Sequence, residues 1–277
     1  MRRCLDALRA QLPATQLEMI VPHDDTLPES DAFRREYNGV QFLHVPGRRT
    51  FAQLRARGVC AAHGRIVAIT EDQCIPPGQW CANVLASHQA PHAAIGGPVE
   101  KHEPDTALGW AIYLREFTSY IPPVQEGASA SLTDCNVSYK REALEAIRDV
   151  WAVAFHEPDV HGALRARGET LWLSPKLVTL QKRTMLLGAA LRERRDFGRL
   201  YGSLRAKDLP AWKRWALVVA SPLLPLLLTG RVVSAVFRKK RYVGACIRAF
   251  PYIALFAAVW AWGEMVGYLT GTPPESG

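Results

Sequence analysis

The stretch GRIVAITEDQC (residues 64–74) decides how this chain is read. Ile66, Val67, Ala68 and Ile69 form the short continuous apolar run of a strand covered on both faces, as in a parallel sheet flanked by helices. The run ends at adjacent carboxylates, Glu71 and Asp72, and Pro-Pro-Gly at residues 76–78 then turns the chain. Ligands of such sheets bind at the carboxyl ends of the strands, where this acidic pair falls. Carboxylate oxygens there suit a hard divalent cation, and such a cation suits a diphosphate. An acidic surface turn is the plainer alternative.

Working outward, LEMIV (17–21) reads as a strand that runs into Pro22, His23, Asp24 and Asp25, a second acidic strand end. VQFLHV (40–45) is another short strand, and PGRRTFAQLRARGVCAAHG (46–64) an amphipathic helix closed by Gly64. The amino-terminal MRRCLDALRAQL, with Leu5, Leu8 and Leu12 at helical spacing, opens the chain on a helix and has no signal-peptide pattern. Downstream, a helix is expected over 80–90 and a strand over 93–100. The aromatic segment 105–123, with Trp110, Tyr113, Phe117 and Tyr120, reads as a helix lying across the sheet, its rings packed in the core in preference to contacting substrate. A strand and helix follow over 131–144, then a helix over 157–167 capped by Gly168, then LWL (171–173) as a closing strand. Alternation of this kind favours an α/β sheet with crossover connections.

Length and composition agree with that. The chain has 277 residues and is 48% hydrophobic, enough for one sizeable domain and a membrane-friendly appendage, which excludes a disordered or fibrous protein. Six cysteines are scattered without CxxC spacing, so they read as reduced cytosolic thiols and not as a disulfide framework or zinc site. His63, His88, His92, His102 and His161 show no HxxxH or HExxH spacing, and none is assigned to a metal. The formal charge of +8 comes from basic residues concentrated late in the chain, beside long apolar runs. Anionic lipid therefore suits the chain better than nucleic acid.

Those apolar runs are WALVVASPLLPLLLTG (215–230) and AFPYIALFAAVWAWGEMVGYLTG (249–271). The second is long enough to span a bilayer, with Glu264 facing water, headgroups or protein. The first carries Pro222 and Pro225, and a re-entrant or interfacial hairpin competes there with a span. Lys213 and Arg214 precede it and Arg231, Arg238, Lys239, Lys240 and Arg241 follow, so the positive-inside rule keeps both flanks cytosolic. The expected organisation is a catalytic domain over 1–180, a basic helix-rich linker over 181–212 and hydrophobic membrane-associated segments over 213–277.

Four motifs carry a resemblance to the family 2 glycosyltransferases, the large inverting group of GT-A fold, and in particular to bacterial members with a hydrophobic carboxyl-terminal tail. LEMIVPHDD (17–25) is similar to the strand whose acidic end contacts the nucleotide base, with Asp24 the better match and Asp25 the alternative. RARGVCAAHGRIVAITEDQC (55–74) is similar to the helix, strand and DxD-type motif, with Asp72 at the metal-binding aspartate. NVSYKREAL (136–144) resembles the strand and helix after the acceptor loop. HEPDVHGALRARG (156–168) resembles the EDxDxxxRLRxRG region, with Glu157 at the catalytic base and Asp159 at the second acid. The sequence departs from the pattern at Gln73, which replaces an acid, and at His156, where an acid is usual. The processive-synthase Gln-Arg-Trp signature is not found after Gln181, which implies single sugar addition. The family's first strand is not found before Met1, implying a misplaced start or a truncated copy.

The resemblance implies a mixed GT-A sheet flanked by helices, lacking its first strand, followed by hydrophobic helices. It implies an inverting enzyme of the inner or cytoplasmic membrane, its catalytic domain cytosolic. That enzyme moves one sugar from a nucleotide-sugar donor to a lipid-linked or polysaccharide acceptor of the cell envelope. Magnesium or manganese at Asp72 would serve the diphosphate, and Glu157 would take the acceptor proton. Asp159 is the weaker candidate, since a carboxylate in a first helical turn is favoured by the dipole alone. Asp24, Asp25, Arg48, Arg49, Glu71 and Asp72 fall on the donor side, with Arg48 and Arg49 as planar forks for phosphate or as solvated loop charges. Asp134 and Asn136 fall on the acceptor side, although Asn136 equally suits a role satisfying backbone groups in a turn. The competing function is a non-catalytic membrane-bound binding or scaffold subunit derived from such an enzyme.

Overall fold

The computed structural model describes residues 1–11, 16–27 and 31–274, and Leu12 of the first helical pattern falls outside them. The chain divides into two compact units, one of Met1–Glu100 with Tyr120–Gln181 and one of Lys101–Ser119 with Lys182–Gly277.

The first unit opens with α1 (Arg2–Arg9), β1 (Met19–His23), α2 (Asp31–Glu36), β2 (Val40–His44) and α3 (Phe51–Ala61). It continues with β3 (Ile66–Thr70), β4 (Cys74–Ile75), α4 (Trp80–Ser87), β5 (Ala94–Gly96) and β6 (Val99–Lys101), the last at the boundary of the units. After α5 (Ala107–Phe117), which belongs to the second unit, come β7 (Gly127–Ala128), β8 (Asn136–Lys140), α6 (Arg141–Glu145) and α7 (Arg148–Trp151). The unit closes with α8 (Glu157–Ala166), β9 (Leu171–Leu173) and β10 (Thr179–Gln181).

Among the described residues the strands form three sheets. β1 pairs with β2 in parallel, β4, β10 and β6 form a three-stranded sheet, and the main sheet runs β3-β8-β5-β9-β7. Only β5 and β9 are parallel within the main sheet, and the other pairs are antiparallel. This corrects the expectation for β3. It is an end strand of its sheet and pairs antiparallel with β8, not within a parallel sheet; apolar side chains pack on both of its faces, Ile66 against the cluster of Trp80 and Leu177, and Val67 and Ile69 in the main core. Val67 and Ile69 point into the core while Ala68 is exposed, so an alternating strand looks continuous because its outward residue is itself apolar. The core beneath is built by Val59, Val67, Ile69, Val137, Tyr139, Trp151, Phe155, Val160, Leu164 and Leu171.

Two further expectations are refined. The strand expected over 93–100 is split into β5 and β6 of different sheets. Between them Gly97 lies so close to Leu177 that an added Cβ would stand 2.0 Å from its carbonyl oxygen, and Pro98 supplies no N–H for a ladder. Helix α3 is not closed by Gly64: it ends at Ala62 in an extended conformation (φ −71°, ψ 143°). Gly168 does take the left-handed conformation after α8, at φ +82°.

The second unit holds α5, α9 (Leu187–Asp208), α10 (Ala211–Ala220), α11 (Leu224–Lys239) and α12 (Val243–Thr270). The expected helix over the sheet is thus part of this unit. Tyr113 and Phe117 of α5 are buried, and Trp110 and Tyr113 pack on Tyr242 at the start of α12. The first apolar run makes no hairpin. It is helical from Ala211 to Lys239 through a 3-10 turn at Ser221–Leu223, where Pro222 and Pro225 occupy first-turn positions that need no N–H partner. Helices α9 and α12 lie backbone against backbone through two GxxxG pairs, Gly198 and Gly202 against Gly263 and Gly267. A Cβ at any of the four would meet the opposing main chain at 2.1–2.4 Å. Glu264 faces protein: its carboxylate accepts from Trp260 Nε1 at 2.8 Å and from the Tyr268 hydroxyl at 2.9 Å.

Candidate active site

Antiparallel pairing sets Thr70 opposite Asn136, so the segment leaving β3 lies beside the segment entering β8. Glu71 and Asp134 are therefore neighbours although far apart in sequence. Helix α3 begins with a capping box, Thr50 accepting from the Gln53 N–H while the Gln53 side chain accepts from that of Thr50. It carries Arg55 one turn in. The Phe155 N–H donates to the Ala52 carbonyl at 2.8 Å, which brings the start of α8, and hence Glu157, to the same place.

Arg55 joins the three carboxylates. Its guanidinium donates to Asp134 at 2.9 Å, to Glu71 at 3.2 Å and, closer still, to Glu157. The Arg55 side chain is 19% exposed and that of Glu157 14%, so this pair is largely shielded from water, whereas Glu71 and Asp134 reach further into solvent. Burial opposes the charge on Arg55, but Asp134, Glu157 and Glu71 together hold its pKa above the ordinary value. Burial pushes the Glu157 carboxyl up; Arg55 pulls against this and Asp134 adds to it, leaving the net direction upward. A carboxylate raised in this way is a better proton acceptor near neutral pH than an exposed one.

The other expected residues are placed differently. Asp72 is 61% exposed, and the chain's amino terminus lies 3.4 Å from it. Asp159 is exposed in the first turn of α8 and is not among the partners of Arg55. Asp24 is buried, accepting from the N–H and hydroxyl of Thr26 and from the Arg49 N–H at 2.8 Å. The Thr26 hydroxyl, the Arg49 N–H and the Thr26 N–H hold its carboxyl at about 2. Asp25 accepts from His44 Nε2 at 2.8 Å and from the Gly47 N–H at 2.9 Å. The two aspartates thus fix the loop 46–49, on which Arg48 and Arg49 are exposed.

Asn136 is buried and its amide is committed. It accepts from Trp80 Nε1 at 2.9 Å and donates to the carbonyls of Pro98 and Leu177. These bonds fill the backbone-satisfying role weighed beside an acceptor contact. Asn136→Ala strands two buried polar groups, the Trp80 indole N–H and the Leu177 carbonyl, while the Pro98 carbonyl keeps its bond from the Thr179 N–H; a loss of roughly 2–4 kcal/mol is expected in urea unfolding, from about 1–3 kcal/mol per unpaired group. His88 and His161 are core histidines, bonded to the Ser138 hydroxyl and to that of Tyr139 at 2.9 Å. Burial pulls both down to about 4.

Among the described residues no group of three or more His, Cys, Asp or Glu side chains forms a metal cluster. Asp72 alone offers an exposed carboxylate at the end of β3, since Glu71 is turned to Arg55. That donor set fits magnesium or manganese, which keep waters and take phosphate oxygens, and does not fit an all-protein cage.

The mixed α/β sheet flanked by helices, with acidic side chains at a strand end, is an arrangement of the GT-A class of fold. The family model described as Glycosyl transferase family 2 matches residues 1–148. The chain belongs to glycosyltransferase family 2, and the protein is a glycosyltransferase with two apolar carboxyl-terminal helices. Among solved structures it is similar to the mannosyltransferase PcManGT from Pyrobaculum calidifontis in complex with GDP-Man and Mn2+, at 20% identity and a TM-score of 0.49, over 98% of this chain and 81% of that one. It is also similar to S. aureus TarS 1-349, at 12% identity and a TM-score of 0.46, over 96% and 86% of the two chains. No curated protein matches the chain.

Proposed function

We propose that this glycosyltransferase is a membrane-associated, metal-dependent, inverting enzyme that adds a single sugar from a nucleotide donor to a lipid-linked or cell-envelope acceptor. The carrying observation is the half-buried Glu157, raised in pKa and set against Arg55, Glu71 and Asp134. Glu157 takes the proton of the acceptor hydroxyl as its oxygen attacks the anomeric carbon, and the carbon–oxygen bond to the diphosphate breaks on the opposite face. Arg55 and Asp134 position that carboxylate. Asp24 and Asp25 shape the nucleotide end by fixing the loop 46–49, and Arg48 and Arg49 on that loop pair with donor phosphate. Asp72 would hold a divalent cation, which would neutralise charge developing on the departing diphosphate. Asp159, in the first turn of α8, is favoured there by the helix dipole and takes no proton in this scheme.

The chain is organised for this as a catalytic part over 1–180, a basic segment over 181–212 and a membrane-associated part over 213–277. The catalytic part lies on the cytosolic side of the inner or cytoplasmic membrane. The two apolar helices, Ala211–Lys239 and Val243–Thr270, support the membrane assignment. The test is donor binding by detergent-extracted protein, with manganese or with chelator. Wild type binds a nucleotide sugar only with the metal. Asp72→Ala weakens binding by at least the ~10-fold that loss of even an outer-shell partner costs. Binding that ignores both chelator and Asp72→Ala would remove the metal from the reading.

A further inference from the structure

We propose that the second unit docks in the plane of an anionic membrane surface and that neither apolar helix crosses the bilayer, an inference that rests on the membrane association proposed above. Length and composition alone make α12 a candidate span, but its neighbour α9 argues otherwise. Gly198 faces Trp260 and Glu264, and Gly202 faces Glu264, while Gly263 and Gly267 face Arg195, Arg199 and Ser203. Residue numbers rise together along the contact, so the two helices run parallel. Carried back along them, this register sets Arg192, Arg194 and Arg195 level with the middle third of α12.

Arg194 is ion-paired with Glu116 of α5 and with Glu193, whereas Arg192 and Arg195 are exposed. Charges at the centre of a bilayer face a bundle interior or a water-filled cavity. Exposed arginines at that depth would instead face lipid tails. The helix–helix contact has no side-chain layer between the backbones, so α12 cannot slide into the membrane without taking α9 along.

The exposed surfaces suit an interface. On α9, Phe197, Leu200, Tyr201 and Leu204 form an apolar stripe bordered by Arg195, Arg199 and Arg205. Exposed apolar residues on α10 and the turn after it also recur at helical spacing, as Trp212, Trp215, Val219 and Leu223. Apolar stripes with tryptophans and bordering arginines are the mark of helices that lie in the headgroup region. The turn between α11 and α12 carries Lys239, Lys240 and Arg241, and a double span would carry this basic turn across the membrane against the positive-inside rule. Basic side chains beside the stripes select anionic headgroups.

The test uses the full chain in spheroplasts of a bacterial expression host. Among the described residues Cys60 is the exposed cysteine and the other five are buried, so Cys60→Ser gives a quiet background. Lys240→Cys reports the turn and Pro273→Cys the segment after α12. In-plane docking predicts protein in the membrane fraction, neither cysteine reached by an impermeant maleimide from outside, and both labelled after lysis. Membrane-bound protein labelled from outside at either position overturns the inference and leaves the membrane association standing. Protein in the soluble fraction overturns both. Purified protein should also float with preformed phosphatidylglycerol-containing vesicles about 10-fold better than with phosphatidylcholine alone. Equal flotation overturns the anionic assignment.

Discussion

Replacing Glu157 by glutamine lowers turnover by about 100-fold to 10,000-fold, the usual contribution of a positioned base, and leaves donor binding intact. The amide keeps the shape and its hydrogen bond with Arg55 but cannot accept the acceptor's proton. Binding measured beside single-turnover rates separates the two effects. A variant that loses donor affinity together with rate would make Glu157 a binding residue. The pH profile gives a second check. Glu157 must be ionised to act, and its pKa lies above the ordinary glutamate value, so activity is full well above that pKa and falls as pH drops through it. Arg55 lowers that pKa; Arg55→Ala therefore moves the acidic limb of the profile upward. An unmoved limb in an active, folded variant would detach the titration from Glu157.

Gly202→Leu disrupts the second unit. Even a methyl group at this position would stand 2.3 Å from the Glu264 carbonyl oxygen, so α9 and α12 must separate before any larger side chain fits. The expected loss is about 3–5 kcal/mol, at the upper end for one substitution, seen as a lower unfolding midpoint by tryptophan fluorescence with early proteolysis within α9. Gly244→Ala is the matched control. It adds its methyl to the same helical unit with nothing within 4 Å and should be neutral, or stabilising by up to about 1 kcal/mol from helix propensity. Equal behaviour of the two variants would show that close backbone packing does not hold the unit together.

Local signals were legible in the sequence and long-range partners were not. The apolar run of β3 and its acidic end are local, and so is the glycine that ends α8. The antiparallel pairing of β3 with β8 is not local, because a five-residue strand does not record which distant strand completes its ladder. Ala68 hid the alternation by being small and apolar on the outer face. Gly97 and Pro98 did mark the break between β5 and β6, within a run that otherwise reads as one strand.

Arg55 was missed for a physical reason. In RARG it looks like one more solvated charge on an amphipathic helix, and only folding brings Glu71, Asp134 and Glu157 around it. The available signal was the excess of acids at three element ends, which repel one another when brought together without a cation. Asp24 and Asp25 were legible as a strand-end pair, but their bonds to the loop 46–49 depend on how β2 leads into that loop.

The paired glycines of α9 and α12 also set how the second unit can move. Side chains between two helices act as a compliant layer that lets them roll or slip, and here that layer is missing along the whole notch. Sliding by one turn would leave one glycine of each pair seated and drive the other into a residue with a side chain. The two helices thus have a single axial register, and the Arg205 guanidinium of α9, which donates to the Tyr268 hydroxyl of α12 at 3.0 Å, resists rotation about it. A push on either helix is transmitted to the other without slack, as along one rod.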